Sequence, residues 1–501
     1  RKTDAFHALN AMKVASEFLQ RAVAALSAAF ARRAAWPGSK AGRRALHSPL
    51  FFSRYKFSHA VFADLTPALA ATYVFAAAVL LHLALRFWLA LRQMRAVALR
   101  RGAVPPRFAQ KITLAAHQRA ADYTAAKLRF GVLEGGAAAL ILLGWTLLGG
   151  LDALNALLLQ WLGPRPLLQP LALLAAFMAI NALLDVPFDA WQTFVIEQRF
   201  GFNKSTLRLW LADHVKSALV GAALGLPLAA LALWLMAQAG PLWWLWLWAL
   251  WLAFSLLMMV IYPTLIAPLF NRFEPLADEE LKARITGLMQ RCGFAASGLF
   301  VMDGSRRSAH GNAYFTGFGA ARRVVFFDTL LSQLTPDEVE AVLAHELGHC
   351  KRRHIAKRMV CVAALSLAAL ALLGWLMQQG WFYAGLGVTP NLPPALGGSV
   401  PNHALALLLF MLAAPVFGLF AAPLMAALSR RHEFEADAFA AAHSSAACLV
   451  SALVKLYEDN ASTLTPDALY VRFYYSHPPA SERIGHLERL MERAAQAAAS
   501  A

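Results

Sequence analysis

Two histidines four residues apart, with an acid beside the first, open the chemistry of this 501-residue chain: His345-Glu346-Leu347-Gly348-His349. Residues four apart on a helix share a face. Both imidazoles can therefore reach one Zn²⁺ as two of three protein ligands, leaving a coordination position for water. Glu346 stands where a carboxylate can take a proton from a water whose pKa the metal has lowered. A short pattern of this kind also arises by chance, so the element that carries it matters. Just upstream, Thr335-Pro336-Asp337-Glu338 reads as a helix start. Thr335 can cap, Pro336 suits the first helical position, and Glu338 completes a capping box.

A catalytic zinc needs a third ligand, and residues 429–440 offer one. There Glu433 and Asp437 are four apart amid Ala and Phe, and inward-facing acids in such company must be paired or metal-bound. Glu433 would be the ligand, and Asp437 would accept a hydrogen bond from a ligand imidazole. Spacing alone leaves a second reading open, a solvated acidic face paired with Arg430 and Arg431. His354 and His432 read as surface histidines. The four cysteines, Cys292, Cys350, Cys361 and Cys448, show no CxxC spacing, so neither a disulfide framework nor a thiolate metal site is indicated. Cys350 follows the metal motif directly but points to another face, and reads as a buried structural thiol.

The elements that must position these residues are set in a membrane. Hydrophobic residues make up 59% of the chain and charged residues 15%, against roughly 25% charged in soluble domains. Apolar runs long enough to cross a bilayer fall at 67–91, 131–150, 166–184, 216–237, 241–262, 360–383 and 403–427, with residues 151–162 suited to the interface. The formal net charge of +17 does not signal nucleic acid, because no basic patch is interleaved with stacking aromatics. Lys and Arg gather instead in cytoplasmic loops: residues 92–130 hold nine of them against the single acid Asp122, whereas 238–240 and 384–402 hold no charge. Seven crossings from that anchor place 263–359 and 428–501 together in the cytoplasm, as a shared metal site requires.

The predicted organisation is therefore an N-terminal membrane region (66–262) with five spans, then a protease segment (263–359) carrying the HExxH helix. Two further spans (360–427) follow, and then a C-terminal segment (428–501) with the third ligand. Residues 1–65 are basic, lack a long apolar core, and are expected to be a disordered or spurious extension. Glu134, Asp185, Asp189 and Glu197 fall at depths where charges face a cavity or pair with one another.

His345-Glu346-Leu347-Gly348-His349, followed some eighty residues on by the 429–440 segment, closely resembles the type I CAAX prenyl endopeptidases, a family of integral-membrane zinc metalloproteases. Segments 185–206, 263–276, 311–331 and 474–487 resemble that family's other recurrent stretches in the same order. The resemblance implies an all-α polytopic membrane protein, with seven transmembrane helices enclosing a chamber. A cytoplasmic zincin-like domain with a small β-hairpin or sheet would complete it. One Zn²⁺ per chain is implied, and a substrate backbone pairing with an edge strand at Asn312-Ala313-Tyr314-Phe315. The residues themselves are compatible with a strand and turn there, partnered by 321–327, and an ordinary hairpin without substrate contact reads equally from them. His477 matches a family position near the metal, where it could stabilise an oxyanion; a structural capping role is the alternative. Arg483, six residues on, reads as a structural ion pair.

The expected partners are the lipid bilayer and a peptide or protein substrate, either C-terminally prenylated or membrane-embedded. A composition rich in Ala, Arg and Leu suggests a bacterial inner membrane with the active site facing the cytoplasm. Architecture does not fix the natural substrate, so a membrane-protein quality-control protease of the HtpX type stands as an alternative. A polytopic transporter or receptor with a structural zinc is the non-enzyme alternative, and it would have to explain the acid beside the first histidine.

Overall fold

A computed structural model of the chain describes residues 66–294, 298–316, 323–391 and 402–500. The expected extension 1–65 and most of the turn after Phe315 lie outside the described residues. Among the described residues, seven helices are long and apolar enough to cross a membrane: Pro67–Leu99, Leu114–Trp145, Leu168–Glu197, Leu207–Gln238, Gly240–Phe270, His354–Leu376 and His403–His443. Each overlaps one expected apolar core, and most run past it, because hydropathy marks the hydrocarbon crossing and not the helix ends. The first, at 33 residues, is about 50 Å long against a hydrocarbon core of about 30 Å. The second ends at Trp145, and a left-handed Gly149 (φ 80°) starts a separate helix, Gly150–Leu162, over the stretch expected at the interface.

Contacts at the ends of the spans fix which connections share a side. Arg92, at the end of the first span, pairs with Asp467 at 2.9 Å, and Arg107 pairs with Glu488 at 3.1 Å. Asn203, between the third and fourth spans, forms a β-bridge with Ser308. The basic connection, the protease segment and the C-terminal segment therefore lie together. On the opposite side Thr389 donates to Asp152 at 2.9 Å, and Asn402 donates to Gln169 at 2.7 Å. In six of the spans no more than 17% of the most apolar window is buried; in the seventh the share is 44%. The seventh is therefore the most enclosed of the spans, and the other six leave most of their apolar windows uncovered by protein.

The protease segment carries a four-stranded sheet in the order β1-β2-β4-β3, with β1 at Phe273–Pro275, β2 at Gly298–Met302, β3 at Ala313–Thr316 and β4 at Arg323–Phe327. β2 and β4 are parallel and the other pairs antiparallel. β4 is the expected partner strand, with Tyr314 opposite Val325, and β3 lies at the sheet edge. Asn312 immediately precedes the strand, and its carbonyl accepts from the Phe327 N–H at 2.9 Å. Val324 and Phe326 bury their side chains in one core with Leu343 and Leu347 of the motif helix, Pro336–Lys351.

The motif helix starts as the sequence predicts: Thr335 caps it, and Glu338 returns its carboxylate to the Thr335 N–H at 2.8 Å. Glu338 is 4% exposed and also accepts from Ser451 and Lys455, both at 2.7 Å, tying this helix to Ala446–Asp459. Burial pushes the Glu338 carboxyl up, but Lys455, the Thr335 amide and Ser451 outweigh it and hold the group below the usual carboxylate range. A group depressed in the folded state stabilises above its unfolded pKa, and loses that contribution as pH falls through the folded value. Glu338→Gln keeps the capping box but strands Lys455, whose side chain is 38% exposed. The expected loss is about 1–2 kcal/mol at neutral pH, less than the ~3–5 kcal/mol of a fully buried pair. Unfolding of detergent-solubilised protein should show that deficit shrinking as pH drops below about 4.

Candidate active site

The site forms where the motif helix crosses the C-terminal end of the expected seventh span. A Cβ on Gly348 would lie 2.9 Å from the Ala436 Cα and 3.1 Å from its carbonyl oxygen. Only glycine against alanine lets the two backbones meet so closely. The contact sets His345 and His349 opposite Glu433 and Asp437, which lie on the continuous 41-residue helix His403–His443. The helical run expected at 429–440 is thus the end of the membrane helix itself.

One nitrogen or oxygen each from His345, His349 and Glu433 converge on a common point. The two Nε2 atoms are 3.2 Å apart, His345 Nε2 is 3.4 Å from Glu433 Oε2, and His349 Nε2 is 3.3 Å from Glu433 Oε1. Zinc bonds of about 2.0–2.1 Å give a tetrahedron with edges of about 3.3–3.4 Å, and the spacing between the two Nε2 atoms and from each to one Glu433 oxygen is close to such an edge. Among the described residues, buried Glu433 Oε2 accepts no hydrogen bond, with Arg483 Nη1 no nearer than 3.6 Å, so the oxygen is left short of the close cationic partner that a buried carboxylate needs.

Asp437, fully buried, accepts from Arg483 Nε at 2.9 Å and Nη2 at 2.5 Å, and lies 2.8 Å from His345 Nδ1. That contact leaves His345 Nε2 facing the other two groups. Burial and Arg483 push the His345 imidazole pKa down, while Asp437 and Glu433 pull harder and raise it to about 9. A metal taking Nε2 must therefore displace a proton. Arg483 is the ion-pair partner expected of it, buried and also 3.6 Å from Glu433 Oε2. Once His345 gives up that proton, the two acids and one guanidinium leave one buried negative charge, which suits a divalent cation. The acidic-face alternative does not hold, because Arg430 donates to the Val471 and Tyr475 carbonyls and Arg431 to Glu435.

Glu346 lines a cavity of about 360 Å³ together with His345, Glu433, Asn312, Ala313 and His477. His477 stands 3.4 Å from Glu433 Oε1 with its side chain 63% exposed, so its ring can reach both the carboxylate and a molecule in the cleft. Tyr457, Asn460 and Ser462 also belong to a second cavity of about 510 Å³, into which the cleft continues past His477. The edge strand therefore runs beside the histidines, and the expected site residues gather around one cleft.

Two expectations need correction. His354 and His432 are not surface residues: they are 4% and 8% exposed and stack on each other at 4.0 Å. Arg353 adopts a left-handed conformation (φ 56°), turning the chain sharply after the motif helix and tucking His354 beneath it. Cys350 is half-buried, and the fully buried cysteine is Cys292. Sequence reading also passed over His310. Its ring stacks on Phe202 at 4.3 Å, and its Nδ1 lies 2.8 Å from Asn460 Oδ1. Two residues later the edge segment begins. Asp189 and Glu197 line a cavity of about 440 Å³; each has partners, Trp210 for Asp189 and Tyr123 and Gln192 for Glu197.

Residues 93–272 match the family described as CAAX prenyl protease N-terminal, five membrane helices, and residues 275–491 match Peptidase family M48. The chain is 39% identical to CAAX prenyl protease 1 homolog of Arabidopsis thaliana over 64% of its own length and 73% of the relative's. It is 35% identical to CAAX prenyl protease 1 of Saccharomyces cerevisiae over 65% and 73%. The crystal structure of S. mikatae Ste24p superposes with a TM-score of 0.76 at 29% identity, covering 85% of this chain and 99% of that one. With a zinc-compatible His-His-Glu group set among seven membrane helices, this chain belongs to the CAAX prenyl protease family of M48 peptidases and is an integral-membrane zinc metalloendopeptidase.

Proposed function

We propose that His345, His349 and Glu433 hold the catalytic zinc, that Glu346 is the general base, and that the substrate is a peptide with a prenylated C-terminal CaaX sequence. The observation that carries the ligand assignment is the convergence of both Nε2 atoms, 3.2 Å apart, on the Glu433 carboxylate, one on each oxygen at 3.3–3.4 Å. Bound there, zinc lowers the pKa of a water and polarises the scissile carbonyl. The chain's own groups do the rest. β3 pairs with the substrate backbone and holds it extended across the cleft. Glu346 takes the proton from the attacking water and passes it to the leaving amine. His477 donates to the oxyanion as it forms. Asp437 holds the His345 ring by Nδ1, and Arg483 neutralises Asp437.

The prenylated-substrate reading rests on the relatives named CAAX prenyl protease 1 and on the second cavity adjoining the cleft. The site faces the cytoplasm, a reading supported by the basic 92–130 connection, which shares its side. The Ala-, Arg- and Leu-rich composition supports a bacterial inner membrane. The domain division is the one read from the sequence, with residues 428–443 continuing the seventh helix.

His345→Ala, His349→Ala and Glu433→Ala should each strip zinc from the purified protein, measured by plasma mass spectrometry, and Asp437→Asn should weaken affinity about tenfold. Glu346→Gln should keep full zinc and the wild-type melting temperature yet lose nearly all turnover of a farnesylated CaaX peptide. Appreciable turnover in that variant would remove Glu346 from its role. Equal cleavage of farnesylated and unprenylated membrane substrates by the wild type would favour quality control instead. Cysteines placed near residues 340 and 470 in intact cells should resist an impermeant maleimide, while one near 389 should react. The reverse pattern would invert the orientation.

A further inference from the structure

His349 differs from His345 in how its second ring nitrogen is held. His345 Nδ1 meets a carboxylate directly, at 2.8 Å from Asp437 Oδ1. His349 Nδ1 meets another imidazole, His354 Nδ1, at 3.0 Å, and His354 Nε2 lies 3.1 Å from Glu435 Oε2. We propose that His354 and Glu435 are positioning residues for the metal, forming with His349 an imidazole–imidazole–carboxylate relay. The inference rests on His349 being a zinc ligand.

Proton bookkeeping along the chain supports it. His349 turns Nε2 toward His345 and Glu433, and a nitrogen that gives its lone pair to a cation leaves the ring proton on the other one. His349 Nδ1–H is therefore the donor, and His354 must present a bare Nδ1 as acceptor. A neutral His354 with a bare Nδ1 carries its proton on Nε2, which points at the Glu435 carboxylate. Every atom in the row has a complementary partner, and only one set of tautomers satisfies all of them. The carboxylate makes His354 a better acceptor, and His354 in turn makes His349 a more electron-rich ligand.

The scaffold holds the relay rigidly. His354 is 4% exposed, and its ring plane is set by His432, stacked at 4.0 Å with 10° between planes. Glu435 also accepts from Arg431 Nε at 3.1 Å. The left-handed Arg353 brings His354 back to His349, five residues earlier in sequence, where an unbroken helix would carry it to another face. Glu433, Glu435 and Asp437 thereby divide the work on one helix: one meets the metal site, and the others anchor the two histidines.

The test compares full-length variants in detergent. Zinc affinity is read by chelator competition, the metal environment by the visible spectrum of cobalt-loaded protein, and apo stability by thermal unfolding. His354→Phe keeps the stack on His432 but offers no acceptor; it should weaken zinc about 10–100-fold and shift the cobalt bands with little change in apo stability. His354→Asn restores an acceptor near the Nδ1 position and should recover most of the affinity. Glu435→Ala should weaken zinc by a smaller factor, and by nothing further in the His354→Phe background, because it acts only through that ring. If His354→Phe folds poorly, Glu435→Ala on the half-exposed side carries the measurement. Wild-type affinity in both single variants, losses that add in the double variant, or a loss that merely tracks apo stability without recovery in His354→Asn would each overturn the relay. His349→Ala separates the two levels: retained zinc there would fell the ligand assignment itself, while its loss beside an unaffected His354→Phe would fell the relay alone.

Discussion

The contact between Gly348 and Ala436 governs the rest of the site. Two helices from distant parts of the chain, one in the protease segment and one rising out of the bilayer, meet with no side chain to separate them at that point. A glycine inside a helix costs about 1 kcal/mol relative to alanine. Here it lets the histidines of one helix and the acids of the other come within a metal's reach. The hydrophobic core on the far face of the motif helix, with Leu343 and Leu347 fully buried against the sheet, presses the helix into that contact.

Charge then decides which rotamers survive. Two buried carboxylates on one helix face repel each other and would be expelled to water without compensation. Arg483 supplies one positive charge from the C-terminal helix Ala480–Ser500, and a divalent ion suits the remainder. The site therefore draws on three chain segments brought together by one glycine contact and one buried guanidinium. The sheet contributes differently: β4 pairs with β3 on one side and leaves the outer edge of β3 beside the cleft, which is the geometry that an extended peptide needs.

Much of this was legible in the sequence because the signals are local. Thr335 to Glu338 caps a helix by spacing alone, and four-residue intervals place His345 with His349 and Glu433 with Asp437. Runs of apolar residues mark seven crossings whatever the tertiary structure. The failures share a cause. His354 lies five residues beyond His349, an interval that puts it on another face unless the helix breaks. The break is a left-handed arginine, a conformation that no propensity favours at that position. Gly348 carried no local signal either, since its partner is nearly ninety residues away. The expected end of the last span was set by hydropathy at residue 427, while the helix itself continues to His443 because hydrogen bonding does not stop where the lipid does.

That continuity puts Glu433 near the tip of a lever. His403–His443 is 41 residues of unbroken helix, about 60 Å from end to end, with Pro415 and Pro423 each removing a backbone hydrogen bond within the membrane portion. From Pro423 to Glu433 the arm is about 15 Å, so a bend of about 4° at that proline swings the carboxylate through about 1 Å. A displacement of that size is enough to misplace a catalytic group. The apolar stretch that crosses the bilayer and the carboxylate that faces the two histidines are thus two ends of one rod, and the tolerance on the straightness of a membrane helix becomes the tolerance on the position of Glu433.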